Sequence, residues 1–279
     1  MHKASSVPSG RGRRCTDVST YGAALRLTVL GASPAVPNPG CACSSYLIES
    51  GEDRLVLDLG TGAFANLRCH VPYTAISAIA ISHMHADHFI DVVPYRYALK
   101  YGDQRRTQPL PLLLPPGGER LLRAMVSAFA REGDAGDFLD ECFAVQTYDA
   151  ACSQRIGSLE VRFALTRHYI DAYAMRVSDG HRTLVFSADT APAPEVIAFT
   201  KGADVLLCEA ALEPNYAEQG ERGHSTPAEA GAMARDAGVS RLVLTHYPQH
   251  VSSEAIRADA ARSFAGEIVL ARDHLTLEI

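Results

Sequence analysis

The densest concentration of chemically active side chains is His83-Met84-His85-Ala86-Asp87-His88, three imidazoles and a carboxylate within six residues. Imidazole nitrogen suits Zn, Fe or Mn, and a carboxylate supplies negative charge that a dication offsets. In extended chain, positions i and i+2 project to the same side, so His83 and His85 can share one ion. A turn after them lets Asp87 and His88 face a second ion. A purely structural role would place four costly polar groups together with nothing to satisfy them.

The elements that must position this cluster are strands. Ala75–Ser82 is a short apolar run rich in isoleucine and reads as a buried strand that ends at His83. Earlier strands are expected at Leu25–Leu30, Ser45–Ile48 and Arg54–Leu59, with Gly31 opening a Pro-rich loop that runs to Gly40. Later strands are expected at Leu159–Leu165, Ala172–Val177, Thr183–Ser187, Val205–Cys208, Arg241–Thr245 and Glu267–Leu270. Helices are expected at Glu119–Arg131, Pro194–Lys201, Pro227–Ala237 and Ser253–Phe264. Pro227 stands in a first helical turn behind Ser225-Thr226, with Glu229 in the same turn, a well-formed helix start. This is an α/β chain whose helices must cover sheet faces.

The hexapeptide resembles the H-x-H-x-D-H signature of the metallo-β-lactamase fold, and the resemblance extends over nearly the whole of residues 23–279. Leu57-Asp58-Leu59-Gly60-Thr61-Gly62 looks like the family's early D-x-G motif. The resemblance implies that Asp58 hydrogen-bonds to the metal-site loop while Gly60 and Gly62 permit a tight turn. With no Gly-x-x-Gly continuation, the same stretch is no dinucleotide site. His168 matches the second-motif histidine, although alone it also reads as a surface histidine beside Arg167. Asp189, in Ser187-Ala188-Asp189-Thr190, matches the third-motif aspartate, with Ala188 standing where the family has glycine. His246, in Leu244-Thr245-His246-Tyr247-Pro248, matches the last histidine.

Carried over by this resemblance, His83, His85 and His168 hold one metal, Asp87, His88 and His246 the other, and Asp189 bridges. The implied cofactor is a pair of divalent ions, zinc in the first instance with Mn or Fe as alternatives. The implied fold is a four-layer αββα sandwich, class α/β, as one domain over residues 23–279.

Two further segments resemble the ribonuclease Z-like branch of the family. Val205-Leu206-Leu207-Cys208-Glu209 ends a strand with an acid, and Gly223-His224-Ser225-Thr226-Pro227 puts a histidine before a helix. In that branch the residue matching His224 sits beside the metals, paired with the acid matching Glu209. A phosphodiester's alkoxide is a poor leaving group and needs a proton, which a carboxylate-held histidine can supply. The implied reaction is attack on phosphorus by metal-bound hydroxide, with Asp87 both a ligand and the acceptor of a proton from the bridging water. The Tyr-rich segment Pro94–Tyr101 follows the metal signature. Tyr95 and Arg96 are expected to contact substrate there, against the plainer reading of an amphipathic helix with core tyrosines.

Enzymes of this branch that process tRNA carry a Gly/Pro-rich arm between the motifs matching His168 and Asp189. Here only twenty residues separate those positions, and the chain resembles the arm-less members, some of which are cyclic-nucleotide phosphodiesterases. The expected substrate is therefore a small phosphodiester such as 3′,5′-cAMP. The alternatives are an RNA or tRNA 3′-processing endonuclease, an ester, lactone or thioester hydrolase on the same site, and a non-enzymatic nucleotide-binding protein.

Composition sets the outer bounds. The 279 residues carry 26 Lys+Arg against 32 Asp+Glu, a net charge of −6, with 47% apolar and 21% charged residues. Such a chain folds compactly, and neither a disordered protein nor a disulfide scaffold fits it. A mild acidic excess, with no tryptophan, gives nucleic acid no global field and few stacking platforms. Seven cysteines without a paired framework fit a reducing compartment, and Cys41-Ala-Cys43 reads as a loop into a strand. No apolar run approaches the roughly 18 residues needed to cross a bilayer. Residues 1–22, rich in Ser, Gly, Arg and Pro, read as a disordered leader without the apolar core of a signal peptide. A cytoplasmic protein that acts on a small molecule is expected, with a homodimer as the default oligomer.

Overall fold

The structure, a computed structural model, describes residues 24–130, 138–216 and 220–279. The leader expected at 1–22 and the last residue of the helix expected at Glu119–Arg131 lie outside the described residues. The strands are β1 Arg26–Gly31, β2 Ser45–Ser50, β3 Asp53–Leu57, β4 Ala78–Ala80, β5 Leu110–Leu114, β6 Phe143–Thr147 and β7 Gln154–Ile156. They continue with β8 Leu159–Leu165, β9 Tyr173–Ser178, β10 Thr183–Phe186, β11 Val205–Glu209, β12 Arg241–Thr245, β13 Glu267–Leu270 and β14 Thr276–Glu278. The helices are α1 Ala63–Leu67, α2 Ala86–Phe89, α3 Val92–Tyr101, α4 Gly118–Ser127, α5 Leu139–Cys142, α6 Pro194–Thr200, α7 Pro227–Ala237 and α8 Ser253–Ala261.

Two sheets form, in the orders β14-β1-β2-β3-β4-β5-β6 and β13-β12-β11-β10-β9-β8-β7. Each has a parallel part and an antiparallel part. In the first, β3 through β6 run parallel, and in the second, β10 through β13 do so. Strands buried on both faces carry near-continuous apolar sequence, which explains the legibility of Val205–Glu209 and Arg241–Thr245.

Period-2 alternation sorts these side chains into layers. Leu55, Leu57, Ala78 and Ala80 point inward to meet Leu184, Phe186, Val205, Leu207 and Val243 of the opposite sheet. Their neighbours Val56 and Ile79 point outward against Phe64, Val92, Tyr95 and Leu122 of the helices on that side. On the other side Leu206, Leu242 and Leu244 pack against Met233, Ala234 and Ile256. The result is helix on sheet on sheet on helix, the expected αββα sandwich.

Four strands were not read from the sequence: β5, β6, β7 and β14. The strand expected over Ala75–Ser82 is shorter, with a 3-10 turn at Tyr73–Ala75 before β4. No helix among the described residues is long and apolar enough to cross a membrane.

Candidate metal centre

The active side chains gather where strands end. His83 and His85 follow β4 in the five-residue connection to α2, a single turn that carries Asp87 and His88. His168 stands between β8 and β9, Asp189 follows β10, Glu209 ends β11 and His246 follows β12. His224 lies just before α7. Open α/β sheets commonly assemble sites at such carboxyl ends.

Two sets of donor atoms converge. His83, His85, His168 and Asp189 bring one ligand atom each within 4.8 Å of one another, and so do Asp87, His88, Asp189 and His246. Asp189 belongs to both sets. His83 Nε2 lies 3.2 Å and His168 Nε2 3.1 Å from His85 Nδ1, with Asp189 Oδ2 at 3.7 and 3.9 Å from the first two. In the second set, His88 Nε2 is 3.3 Å from Asp87 Oδ2 and 3.4 Å from Asp189 Oδ1. His246 approaches Asp189 Oδ1 at 3.3 Å.

The far sides of the rings are held by other groups, which fixes their tautomers. The Ser82 hydroxyl donates to Asp58 Oδ2 at 2.8 Å, so it must accept from His83 Nδ1 at 2.9 Å. His168 Nδ1 donates to the Gly223 carbonyl at 2.7 Å, and His88 Nδ1 donates to Asp58 Oδ2 at 2.7 Å. The Nε2 lone pairs of His83 and His168 are thereby turned into the site.

Fit to a cation rests on what these atoms lack. His88 Nε2 and Asp189 Oδ1 are buried and accept or donate no hydrogen bond, a condition that costs about 1–3 kcal/mol per group unless something satisfies it. Burial lowers the pKa of His83 well below the usual imidazole value, reinforced by the neighbouring His88, and burial likewise lowers His85 and His168. These rings are neutral donors at neutral pH, as ligation requires. Burial raises the Asp189 carboxyl, but His246 and His88 more than offset it and hold it well below the carboxylate range. Burial also depresses His88, and Asp189 and Asp58 outweigh that and raise it well above the ordinary value. Carboxylates thus draw positive charge to His88 at the centre of the cluster, while the lone pairs of His83 and His168 face it from the side. The donor set fits divalent metal.

The loop geometry around it depends on two close approaches. Asp58, at φ +56°, turns the chain out of β3 and accepts from the Ser82 backbone N–H at 2.6 Å as well as from Ser82 Oγ and His88. A Cβ on Gly60 would stand 1.9 Å from the Asp87 carbonyl oxygen, so only glycine lets the two loops meet there.

Beside the cluster, His224 Nδ1 lies 3.0 Å from Glu209 Oε1 and 3.9 Å from Asp189 Oδ2. The His224 position follows from a helix start: Thr226 caps α7, its hydroxyl accepting from Glu229 N while Glu229 accepts from Thr226 N. Arg222 clamps Glu229 with two bonds of 2.6 and 2.8 Å. Burial lowers the His224 imidazole, but the hydrogen bond and charge of Glu209 more than compensate and raise its pKa to about 9.

Tyr95 and Arg96 are placed otherwise than expected. Both are buried on the packed face of α3. Tyr95 packs its ring against Phe64 at a tilt and donates its hydroxyl to the Tyr73 carbonyl, and the Arg96 guanidinium lies over the rings of Tyr97 and Phe138. Helical periodicity turns these two positions into the core. The expectation of a substrate contact there is corrected to the amphipathic-helix reading.

Sequence reasoning missed the supports: Ser82, Ser44 (whose hydroxyl is 3.0 Å from His246 Nδ1) and the Gly223 carbonyl. Ser82 adjoins His83 and was findable on that ground. Ser44 meets His246 only through the fold. Tyr169 was also missed. It is half exposed, with its ring 5.1 Å from that of His168 and 5.8 Å from that of His224.

Comparison with known proteins agrees with this architecture. The Beta-lactamase superfamily domain profile matches residues 53–247. The chain is 30% identical over 260 residues to the probable metallo-hydrolase YhfI of Bacillus subtilis, covering 91% of this chain and all of that protein. The crystal structure of YhfI superposes with a TM-score of 0.81 at 26% identity, over 92% of this chain and 100% of the other. A ribonuclease Z of Mycobacterium bovis is 26% identical over 277 residues, 91% of this chain and 98% of that protein. With more than half of its length matched by the profile, and a near full-length relative at 30% identity, this chain belongs to the beta-lactamase superfamily and has the metallo-β-lactamase fold.

Proposed function

We propose that the chain is a metal-dependent hydrolase of small phosphodiesters, with a cyclic nucleotide such as 3′,5′-cAMP as substrate. The observation that carries this reading is the Glu209–His224 pair, 3.0 Å apart and set against the shared ligand Asp189. A carboxylic ester or lactone has less need of so strongly held an acid than a phosphodiester, whose alkoxide leaves poorly.

In this reading His83, His85, His168 and Asp189 hold one divalent ion, and Asp87, His88, Asp189 and His246 hold a second. Bound there, the ions supply ionised water near neutral pH and positive charge for the phosphoryl oxygens. The protein's own groups do the rest. Asp58 and Ser82 orient the rings of His83 and His88, and Gly223 orients His168. With Nδ1 engaged by Glu209, His224 offers Nε2 to the departing oxygen, and its raised pKa keeps the proton available at neutral pH. Burial raises the Asp87 carboxyl, but the close approach and charge of His88, with His246 beside it, outweigh this and lower the pKa, so Asp87 is present as the carboxylate that this reading needs as proton acceptor.

The stretch between His168 and Asp189 favours a small substrate. It is occupied by the antiparallel pair β9 and β10, with no inserted arm to grip a folded RNA.

The test is incubation of Zn- or Mn-loaded protein with 3′,5′-cAMP, 2′,3′-cAMP and a short RNA, with products separated by chromatography and a chelator control. Chelator-sensitive release of 5′-AMP from 3′,5′-cAMP is the expected result. Cleavage of RNA alone favours the endonuclease reading, and a fully metallated protein that cleaves no phosphodiester sinks the proposal and turns attention to carboxylic and thioester substrates.

A further inference from the structure

We propose that the cavity under the Pro34–Pro39 loop receives the organic part of a monomeric phosphodiester, an uncharged group of nucleoside size, with Val36 and Leu212 as specificity residues. The proposal rests on the phosphodiesterase reading above and adds to it where the non-phosphate part of the substrate lies and what it must be.

The cavity holds about 820 Å³ and is continuous with the site, since His224 and His246 form part of its wall. That volume lies within the range of roughly 300–1,000 Å³ found for small-molecule pockets. Its remaining surface is largely apolar, from Val36, Pro37, Leu212 and Pro248. Val36 is 80% exposed, a large apolar side chain held in water at the edge of a polar centre. An isolated exposed valine is ordinary, but one that borders an apolar recess beside catalytic groups has a partner to wait for.

Charge narrows the class. Among the described residues that line this cavity there is no lysine or arginine. A polynucleotide threading past the site would place further phosphates along such a wall, and binding them draws on cationic contacts. Beside the rim, His250 Nε2 of the wall lies 2.8 Å from Glu213 Oε1, both side chains solvent-exposed. A neutral planar group that follows a single phosphate meets no penalty here.

The wall is also prepared in advance. Asn38 donates from Nδ2 to the Tyr247 carbonyl at 3.1 Å and accepts at Oδ1 from Gln249 N at 2.9 Å. Its own N–H donates to Ser33 Oγ at 3.2 Å. The Pro-rich loop is thereby tied to the segment directly after His246, so the recess and the metal ligand keep a fixed relation. Prolines within the loop lower the entropy that binding would otherwise cost.

The test is calorimetric titration of the metal-loaded full chain with 5′-AMP and with ribose 5-phosphate, which differ only in the base. AMP is expected to bind at least ten-fold more tightly. The double variant V36N/L212N should remove most of that difference, while L121N on the exposed face of α4 should keep it. Equal affinities for the two ligands in the wild type, an undiminished preference in the double variant, or tighter binding of a single-stranded oligoribonucleotide than of AMP each overturn the proposal. A parallel assay with thymidine 5′-(4-nitrophenyl) phosphate and methyl 4-nitrophenyl phosphate separates the two ideas. If neither ester is cleaved but the AMP preference stands, the phosphodiesterase reading fails and the pocket assignment survives. If both are cleaved at equal kcat/KM and no AMP preference exists, the pocket assignment fails and the reading survives.

Discussion

Glu209 Oε1 faces His224 Nδ1 at 3.0 Å while the same carboxylate is locked by three backbone N–H groups. Thr190 N donates to Oε1 at 3.0 Å, Ser225 N to Oε1 at 3.2 Å and Ala211 N to Oε2 at 2.8 Å. A fully buried carboxylate so held cannot swing away, and the imidazole beside it is fixed in tautomer and direction. This is an arrangement for delivering a proton at one place.

The pair sets a pH dependence. The His224 pKa is raised to about 9, so its acidic form, and any stability it contributes, is fully present below the ordinary imidazole value near 6.5 and is lost as pH rises through about 9. Turnover of a poorly activated phosphodiester should therefore hold to about pH 8 and decline above 9. Glu209→Gln removes the charge that raises the imidazole and should move that alkaline limb down by at least one pH unit. A pH–rate profile alongside NMR titration of the His224 ring checks this. An unmoved limb in the variant would mean that His224 is not the acid.

Replacement of His224 by alanine should separate chemistry from metal binding. The residue is outside both converging donor sets, so bound metal measured by elemental analysis should match the wild type. Turnover of an alkyl or nucleoside ester should fall about 10²–10⁴-fold, the usual contribution of a general acid. A 4-nitrophenyl ester, whose leaving group needs no proton, should lose far less. Equal losses on both esters would assign His224 to substrate binding.

Much of this site was legible because its residues follow apolar strands in sequence: His83 after an isoleucine-rich run, and His246 directly after Arg241–Thr245. The strands Leu159–Leu165, Arg241–Thr245 and Glu267–Leu270 and the helix Pro227–Ala237 lie where their patterns put them. Their signals are local, a capping box for the helix and continuous apolar runs for the strands. Leu110–Leu114 was hidden because Pro109, Pro111 and Pro115 suggest loop, although its neighbours β4 and β6 pair with it in register. Thr276–Glu278 was hidden because its pairing partner Arg26–Thr28 lies near the other end of the chain. The same non-locality hid Ser44 beside His246. Tyr95 misled for a different reason: proximity to a metal motif in sequence says nothing about which face of α3 a side chain occupies.

Asp58 makes three hydrogen bonds that together hold both halves of the metal signature, to Ser82 N, Ser82 Oγ and His88 Nδ1. Asp58→Asn keeps the size and tolerates the left-handed backbone at this position, but it removes the charge and one acceptor. Metal affinity should fall about 10–100-fold, the range seen when such supporting groups are lost. Asp58→Ala should also lower stability by about 3 kcal/mol or more, because the His88 imidazole is left buried without its partner. Competition with a chromogenic chelator and urea denaturation followed by circular dichroism measure the two effects. Wild-type metal affinity in both variants would show that Asp58 serves only the backbone turn.

Metal should contribute directly to folding stability, since the apoprotein leaves His88 Nε2 and Asp189 Oδ1 buried and unsatisfied. At free metal about 100 times its Kd, the gain from binding the native state is about 2.7 kcal/mol. A chelator should thus lower Tm by several degrees, read by circular dichroism or calorimetry because the chain contains no tryptophan. The sign with pH follows from the ligands. His83, His85 and His168 have native pKa values below that of an unfolded imidazole, so the unfolded chain takes up more protons at these positions as pH falls below 6.5, and their contribution opposes folding there. The same protons compete with metal. The gap in Tm between metal-loaded and chelated protein should therefore be wide at pH 7.5 and narrow toward pH 5. A gap independent of pH would show that the stabilising ion is held by carboxylates outside this cluster, and no gap at all would remove the metal centre from the folding balance.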